Sequence, residues 1–273
     1  VVTAAGNDLT PSGRPLRLGL VGYLNAAPAA WGLDADPAVR LVREVPSRVA
    51  DLLHAGEIDL GLVPSIEYAA GDYAVVPGVA IASRGPVRSV NLYLRGPLTA
   101  VRRVALDASS RASIALLKVL LRERLGRDPE YVVQSPSVEG MLADADAALV
   151  IGDPALYFEG TQERLDLGQE WLDLTGLPFV YAFWAGRPGA VTERGVARLQ
   201  EALRQGLAAL TEVAATYNGL GAGRRALSEQ YLRENIVYEL GEPELAGLRE
   251  FYRRAHGAGL IARVPELRFH GHP

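Results

Sequence analysis

Short apolar runs punctuate the first half of the chain, and small polar residues close most of them. Residues 16–21, 41–45, 60–63, 79–83, 101–106, 130–134 and 147–151 are too short for helices and rich in Val, Leu and Ile, so they read as strands. Segments 46–55, 110–125 and 137–143 carry apolar residues three and four apart and read as amphipathic helices between them. Gly56 marks the stop of the first helix. A strand–helix alternation of this kind defines an α/β fold built on mostly parallel sheet.

Two further segments break the alternation. Residues 89–95 form a longer alternating strand, and 177–184 are an aromatic, apolar run bounded by Gly176 and Gly186. Each reads as a strand passing between two halves of the molecule. The expected division is therefore 15–92 with 186–273 as one lobe and 93–185 as the other, joined by a hinge. From Thr192 onward the pattern is helical, over 192–217, 222–235 and 242–258. The glycine run at 219–223 follows a helix, not a strand, so it reads as a helix connection and not a phosphate loop. Two lobes on a hinge enclose a small ligand between them.

The strand ends suggest where that ligand sits. Val21 runs into Gly22-Tyr23-Leu24-Asn25, with Asn25 placed to cap a short helix over 26–31. Val63 runs into Pro64-Ser65, Leu106 into Asp107-Ala108-Ser109-Ser110, and Ile151 into Gly152-Asp153-Pro154. Ligands of open α/β sheets lie beyond the carboxyl ends of the strands, and unpaired N–H groups at helix starts favour an anion. An ordinary helix N-cap is the competing reading of Ser65 and of Asp153. Tyr23, in a turn, is the aromatic best placed to meet a ligand, whereas Trp31, Phe179, Tyr181 and Trp184 are expected chiefly in the core.

Composition removes several function classes. The chain has 273 residues, 49% hydrophobic and 22% charged, with a net charge of −4, which suits a globular protein and argues against nucleic-acid binding. No segment approaches the ~18 consecutive apolar residues of a membrane helix, and no secretory h-region precedes Pro15, so a cytoplasmic protein is expected. Without cysteine there is no disulfide or thiolate nucleophile. Lys118, the only lysine, lies inside the 110–125 helix, a poor place for Schiff-base chemistry. No histidine adjoins a strand-end serine. His270-Gly271-His272 reads as a frayed tail before a metal pair, and Glu57 and Asp59 as a solvated strand edge as readily as an acid–base pair. No metal or redox cofactor is expected.

Several motifs in order carry a family resemblance: Val21-Gly22-Tyr23-Leu24-Asn25, Gly56-Glu57-Ile58-Asp59, Val63-Pro64-Ser65-Ile66-Glu67-Tyr68, Ser83-Arg84-Gly85-Pro86-Val87-Arg88-Ser89-Val90, Leu106-Asp107-Ala108-Ser109-Ser110-Arg111-Ala112-Ser113 and Thr175-Gly176-Leu177-Pro178-Phe179-Val180. Together they resemble the chorismate dehydratase family of the futalosine route to menaquinone. That resemblance implies a two-lobed, periplasmic-binding-protein-like (type II) fold and cofactor-free loss of water from chorismate, an anionic small molecule, giving 3-(1-carboxyvinyloxy)benzoate. It implies Asn25 and Ser89 as catalytic residues. Tyr23, Pro64, Ser65, Ser109, Ser110, Arg111, Ala112, Ser113, Gly152 and Asp153 would hold the substrate. The chain departs from the family pattern at Gly22, often Ser, and at Ala112, often Thr. Asp153, Glu67 and the substrate's own enolpyruvyl carboxylate stay open as proton acceptor. A sister enzyme, dihydroxynaphthoate synthase, typically carries His in an Ile-His-Glu run where this chain reads Ile151-Gly152-Asp153. A solute-binding receptor for a small aromatic or dicarboxylic acid would use the same turns without chemistry.

Overall fold

The computed structural model describes residues 8–217 and 222–271, and its strands gather into two five-stranded sheets. The first holds β1 (Leu16–Val21), β2 (Val39–Glu44), β3 (Leu60–Pro64), β4 (Ala74–Ser83) and, from much later in the chain, Phe179–Gly186. The second holds β5 (Val90–Leu94), β6 (Arg103–Asp107), β7 (Glu130–Gln134), β8 (Ala147–Ile151) and β9 (Glu163–Asp166). With Phe179–Gly186 as β10, the orders are β2-β1-β3-β10-β4 and β7-β6-β8-β5-β9. Both sheets share one plan: three parallel strands, then a strand antiparallel to both its neighbours. Every residue of β3, β5, β8 and β10 is buried, as strands covered on both faces must be.

The helices α1 (Pro46–Ala55), α2 (Arg111–Leu125), α3 (Val138–Asp144), α4 (Asp153–Leu156), α5 (Leu167–Thr175), α6 (Glu193–Ala208), α7 (Leu210–Thr216), α8 (Ala222–Glu234) and α9 (Glu242–Gly257) cover these sheets. Gly56 ends α1 in the left-handed region at φ 75°, as its place in the sequence requires. Trp171 of α5, Phe179 of β10 and Phe251 of α9 meet edge to face, with centroids 4.9–6.2 Å apart, and fill the space where the second half of the chain returns to the first sheet.

Several expectations change. The chain changes sheet between Ser83 and Val90 and again between Asp166 and Phe179, so the strands themselves belong wholly to one sheet each and the connections do the crossing. β9 escaped the sequence pattern because Glu163-Arg164-Leu165-Asp166 is a short edge strand with three charged residues of four, and α5 follows it directly. The helix expected over 192–217 breaks at Ala209, whose N–H is shared between Gln205 and Gly206. Gly206 packs so closely on Pro28 that an added Cβ would lie 2.2 Å from its carbonyl oxygen. Of the glycine run, residues 219–221 lie outside the described residues, and Ala222 and Gly223 open α8. His270 is not frayed: it is 4% exposed, with its N–H donating to Val75. His272 lies outside the described residues. Asp59 is no solvated edge either, being clamped by Arg14 and Arg17.

Candidate active site between the two sheets

The carboxyl ends of β1, β3, β6 and β8 converge, as open α/β sheets require of a binding site. Between them lies a small cleft, partly open to solvent. Tyr23, Asn25, Pro64, Ser89, Ser110, Ser113 and Gly152 line it, so these sequence-predicted residues from distant segments do meet. Val21, Pro46, Ile81, Val87, Val90 and Ile151 form apolar walls. Among the described lining residues none is Asp, Glu, His, Lys or Arg. An acidic ligand here would be held by dipoles and hydroxyls.

Each polar group is aimed by its element. Ser110 caps α2 by accepting from the Ser113 N–H, and the two hydroxyls lie 3.1 Å apart. The other first-turn N–H groups of α2 have no partner inside the helix and carry the positive end of its dipole. Gly152, at φ 69° and ψ −147°, donates its N–H to the Ser89 carbonyl at 2.8 Å. No side chain fits there, because a Cβ would lie 2.8 Å from the Tyr23 ring.

Arg88, immediately before Ser89, is the only non-glycine among the described residues with positive φ, at 63°. Asp166 holds that turn. Its Oδ2 accepts from Arg88 N at 2.6 Å, and its Oδ1 accepts from Val87 N at 3.0 Å and from Gly168 N and Gln169 N at 2.9 and 3.2 Å, capping α5 with the same carboxylate. Burial pushes this carboxyl above its ordinary range while the four N–H groups pull it back.

Ser65, Ser109, Arg111, Ala112 and Asp153 sit around the cleft without lining it. Asn25 caps no helix: Tyr23 precedes the short 3-10 turn Leu24–Ala26, and the Tyr238 hydroxyl donates to the Asn25 carbonyl at 3.0 Å. Ser65 is wholly buried and points away, donating to Val180 O at 2.7 Å, and it begins a 3-10 turn, Ser65–Ala70, with no side-chain cap. Ala112 is buried in α2. Ser109 accepts from the Tyr23 hydroxyl at 3.2 Å, and its carbonyl accepts from Ser47 N at 2.9 Å. Asp153 is neither cap nor cleft residue: it accepts from Leu24 N at 3.1 Å and from the Tyr217 hydroxyl, and burial raises its carboxyl above the usual value. Arg111 pairs with Asp51 at 2.7 Å and Glu67 at 3.3 Å. Glu67 also meets His54 Nε2 at 2.7 Å. Ser109, Arg111 and Asp153 thus tie the second sheet's turns to the first across the cleft.

Sequence reasoning missed Tyr181, which lines the cleft with its hydroxyl 3.2 Å from Ser83, and Tyr231, whose hydroxyl lies 2.7 Å behind Ser89. Tyr231 comes from α8, where its spacing looks like any other core position. Of the other aromatics, Phe179 and Trp184 are core residues, and Trp31 lines a separate surface groove.

Two lobes closing on a dipole-lined cleft define a periplasmic-binding-protein-like fold, and solved structures agree. A protein from Archaeoglobus fulgidus superposes with a TM-score of 0.72 at 17% identity, covering 94% of this chain and 100% of that one. The alkanesulfonate-binding protein of Xanthomonas axonopodis pv. citri, bound to MOPS, gives 0.64 at 19% identity, covering 92% and 94%. Within that fold the sequence is more particular. Residues 16–257 match the family model for menaquinone biosynthesis, and a curated chorismate dehydratase of Thermus thermophilus is 35% identical over 259 residues, 87% of this chain and 94% of that protein. The chain belongs to this menaquinone-biosynthesis enzyme family. Among the described residues no helix is long and apolar enough to cross a membrane.

Proposed function

We propose that this protein is a chorismate dehydratase of the futalosine route, converting chorismate to 3-(1-carboxyvinyloxy)benzoate and water. The observation that carries the reading is that Asn25 and Ser89 share one cleft with Ser110 and Ser113 at the start of α2. The first turn of α2 and its serine hydroxyls hold a substrate carboxylate. The apolar walls pack against the ring.

The reaction asks little of side chains. A proton leaves the ring carbon bearing the enolpyruvyl ether, the C–O bond to the hydroxyl on the adjacent carbon breaks, and the ring becomes aromatic. Aromatisation supplies the driving force, so rigid placement is the enzyme's main contribution. With both Asp153 oxygens engaged by Leu24 and Tyr217, and Glu67 engaged by His54 and Arg111, the substrate's enolpyruvyl carboxylate is the base that reaches the ring proton. Asn25 orients that carboxylate, and Ser89 gives a hydrogen bond to the departing hydroxyl, which leaves as water with the abstracted proton.

Incubation of the purified protein with chorismate tests this. Loss of the diene absorbance with formation of an aromatic product lighter by one water is expected, and binding without conversion would favour a receptor. Asp153→Asn and Glu67→Gln should each keep kcat within about tenfold of the parent. A loss of roughly a hundredfold or more would return the base to the protein.

A further inference from the structure

Tyr231 is a buried hydroxyl paired with Ser89, one of the two residues assigned to the chemistry. It reaches the site from α8, is 1% exposed, and stands 2.7 Å from Ser89 Oγ. Ser89 belongs to the turn before β5 in the second sheet, and Asn25 to the turn after β1 in the first. Burial pushes the phenol above its ordinary range, so it stays protonated across the working pH.

One proton on that hydroxyl imposes a rule. If Tyr231 donates to Ser89, the Ser89 O–H is free to face the cleft. If Ser89 donates instead to Tyr231, it shows the cleft only a lone pair. A departing hydroxyl needs a donor, which only the first arrangement supplies.

Resting on the dehydratase reading above, we propose that Tyr231 is a positioning residue: by donating to Ser89 Oγ it leaves the Ser89 proton directed at the leaving hydroxyl. It touches no substrate. Its contribution is to lock one of two hydrogen-bond directions before substrate arrives.

The test is a double-mutant cycle on chorismate turnover. Tyr231→Phe removes only the hydroxyl and should lower kcat about ten- to a hundredfold with KM changed less than about threefold. Ser89→Ala should be slower still. The double variant Ser89→Ala with Tyr231→Phe should be no slower than Ser89→Ala alone, because Tyr231 acts through Ser89. Equal multiplicative loss in both backgrounds, or an unchanged kcat in Tyr231→Phe, overturns the proposal. Circular dichroism reports whether Tyr231→Phe is folded. If it is not, 3-fluorotyrosine at the same position keeps the packing and strengthens donation. It should then shift kcat without moving KM, and no shift would count against the role. Absence of turnover by the unaltered protein would instead remove the dehydratase reading and this role with it.

Discussion

Asp166→Asn is a one-atom change whose consequence follows from the geometry. Oδ1 of Asp166 serves Val87, Gly168 and Gln169, whereas Oδ2 serves Arg88 alone at 2.6 Å. The amide that keeps its oxygen in the Oδ1 place preserves three bonds and sets its NH2 against the Arg88 N–H, donor to donor. The reversed amide orphans three N–H groups and is worse. An unmade buried hydrogen bond costs about 1–3 kcal/mol, and the left-handed backbone at Arg88 stores about 1 kcal/mol more that this bond now holds in place. The expected loss of stability is roughly 2–4 kcal/mol in urea unfolding, equivalent to about 3–7 °C in Tm for a chain of this length. Asp166→Ala also removes the α5 cap, adding about 1 kcal/mol. Because Ser89 follows Arg88 directly, kcat for chorismate should fall in Asp166→Asn even at temperatures where the variant is fully folded. A variant within about 0.5 kcal/mol of the parent, with unchanged kcat, would refute the view that Asp166 holds this turn.

Gly152→Ala places a Cβ 2.8 Å from the Tyr23 ring in a backbone region open only to glycine, so stability should fall by roughly 1–3 kcal/mol and KM should rise about tenfold, read by thermal unfolding and steady-state kinetics. Acid unfolding should depend on Asp59. Burial alone would raise its carboxyl, but the hydrogen bonds from Arg14 and Arg17 outweigh burial and hold it well below the usual range. A depressed folded value means the stabilisation is present above the unfolded value of about 3.9 and is lost as pH falls below it. Since both arginines are more than a third exposed, Asp59→Asn should cost only about 1–2 kcal/mol at neutral pH, and the gap to the parent should close progressively below about pH 4. A gap independent of pH would show that the pair does not titrate with folding.

The periodicity of apolar positions was enough to read the α/β class, most strands, and the start and stop of α1, because those elements are set by local burial pattern and by backbone freedom at Gly56. It also pointed to the turns at Tyr23, Asn25, Ser110 and Gly152, since small polar residues at strand ends leave few other uses. Sequence alone misplaced Ser65, which faces inward because the carbonyl of Val180 on β10 lies 2.7 Å away, and that neighbour is set by sheet order. It was equally blind to Asp153 and Arg111, whose partners Leu24, Tyr217, Asp51 and Glu67 stand on the opposite side of the cleft. Tyr231 and Asp166 fall in the same group: one is a core position on α8, the other the end of a charged edge strand. What the amino-acid order decided by itself is whatever depends on residues three or four apart. Which carboxylate is free to act, and which hydroxyl faces the cleft, depends on groups brought together from distant positions, as Arg111 and Asp51 are from 60 residues apart, and only the tertiary structure decides that.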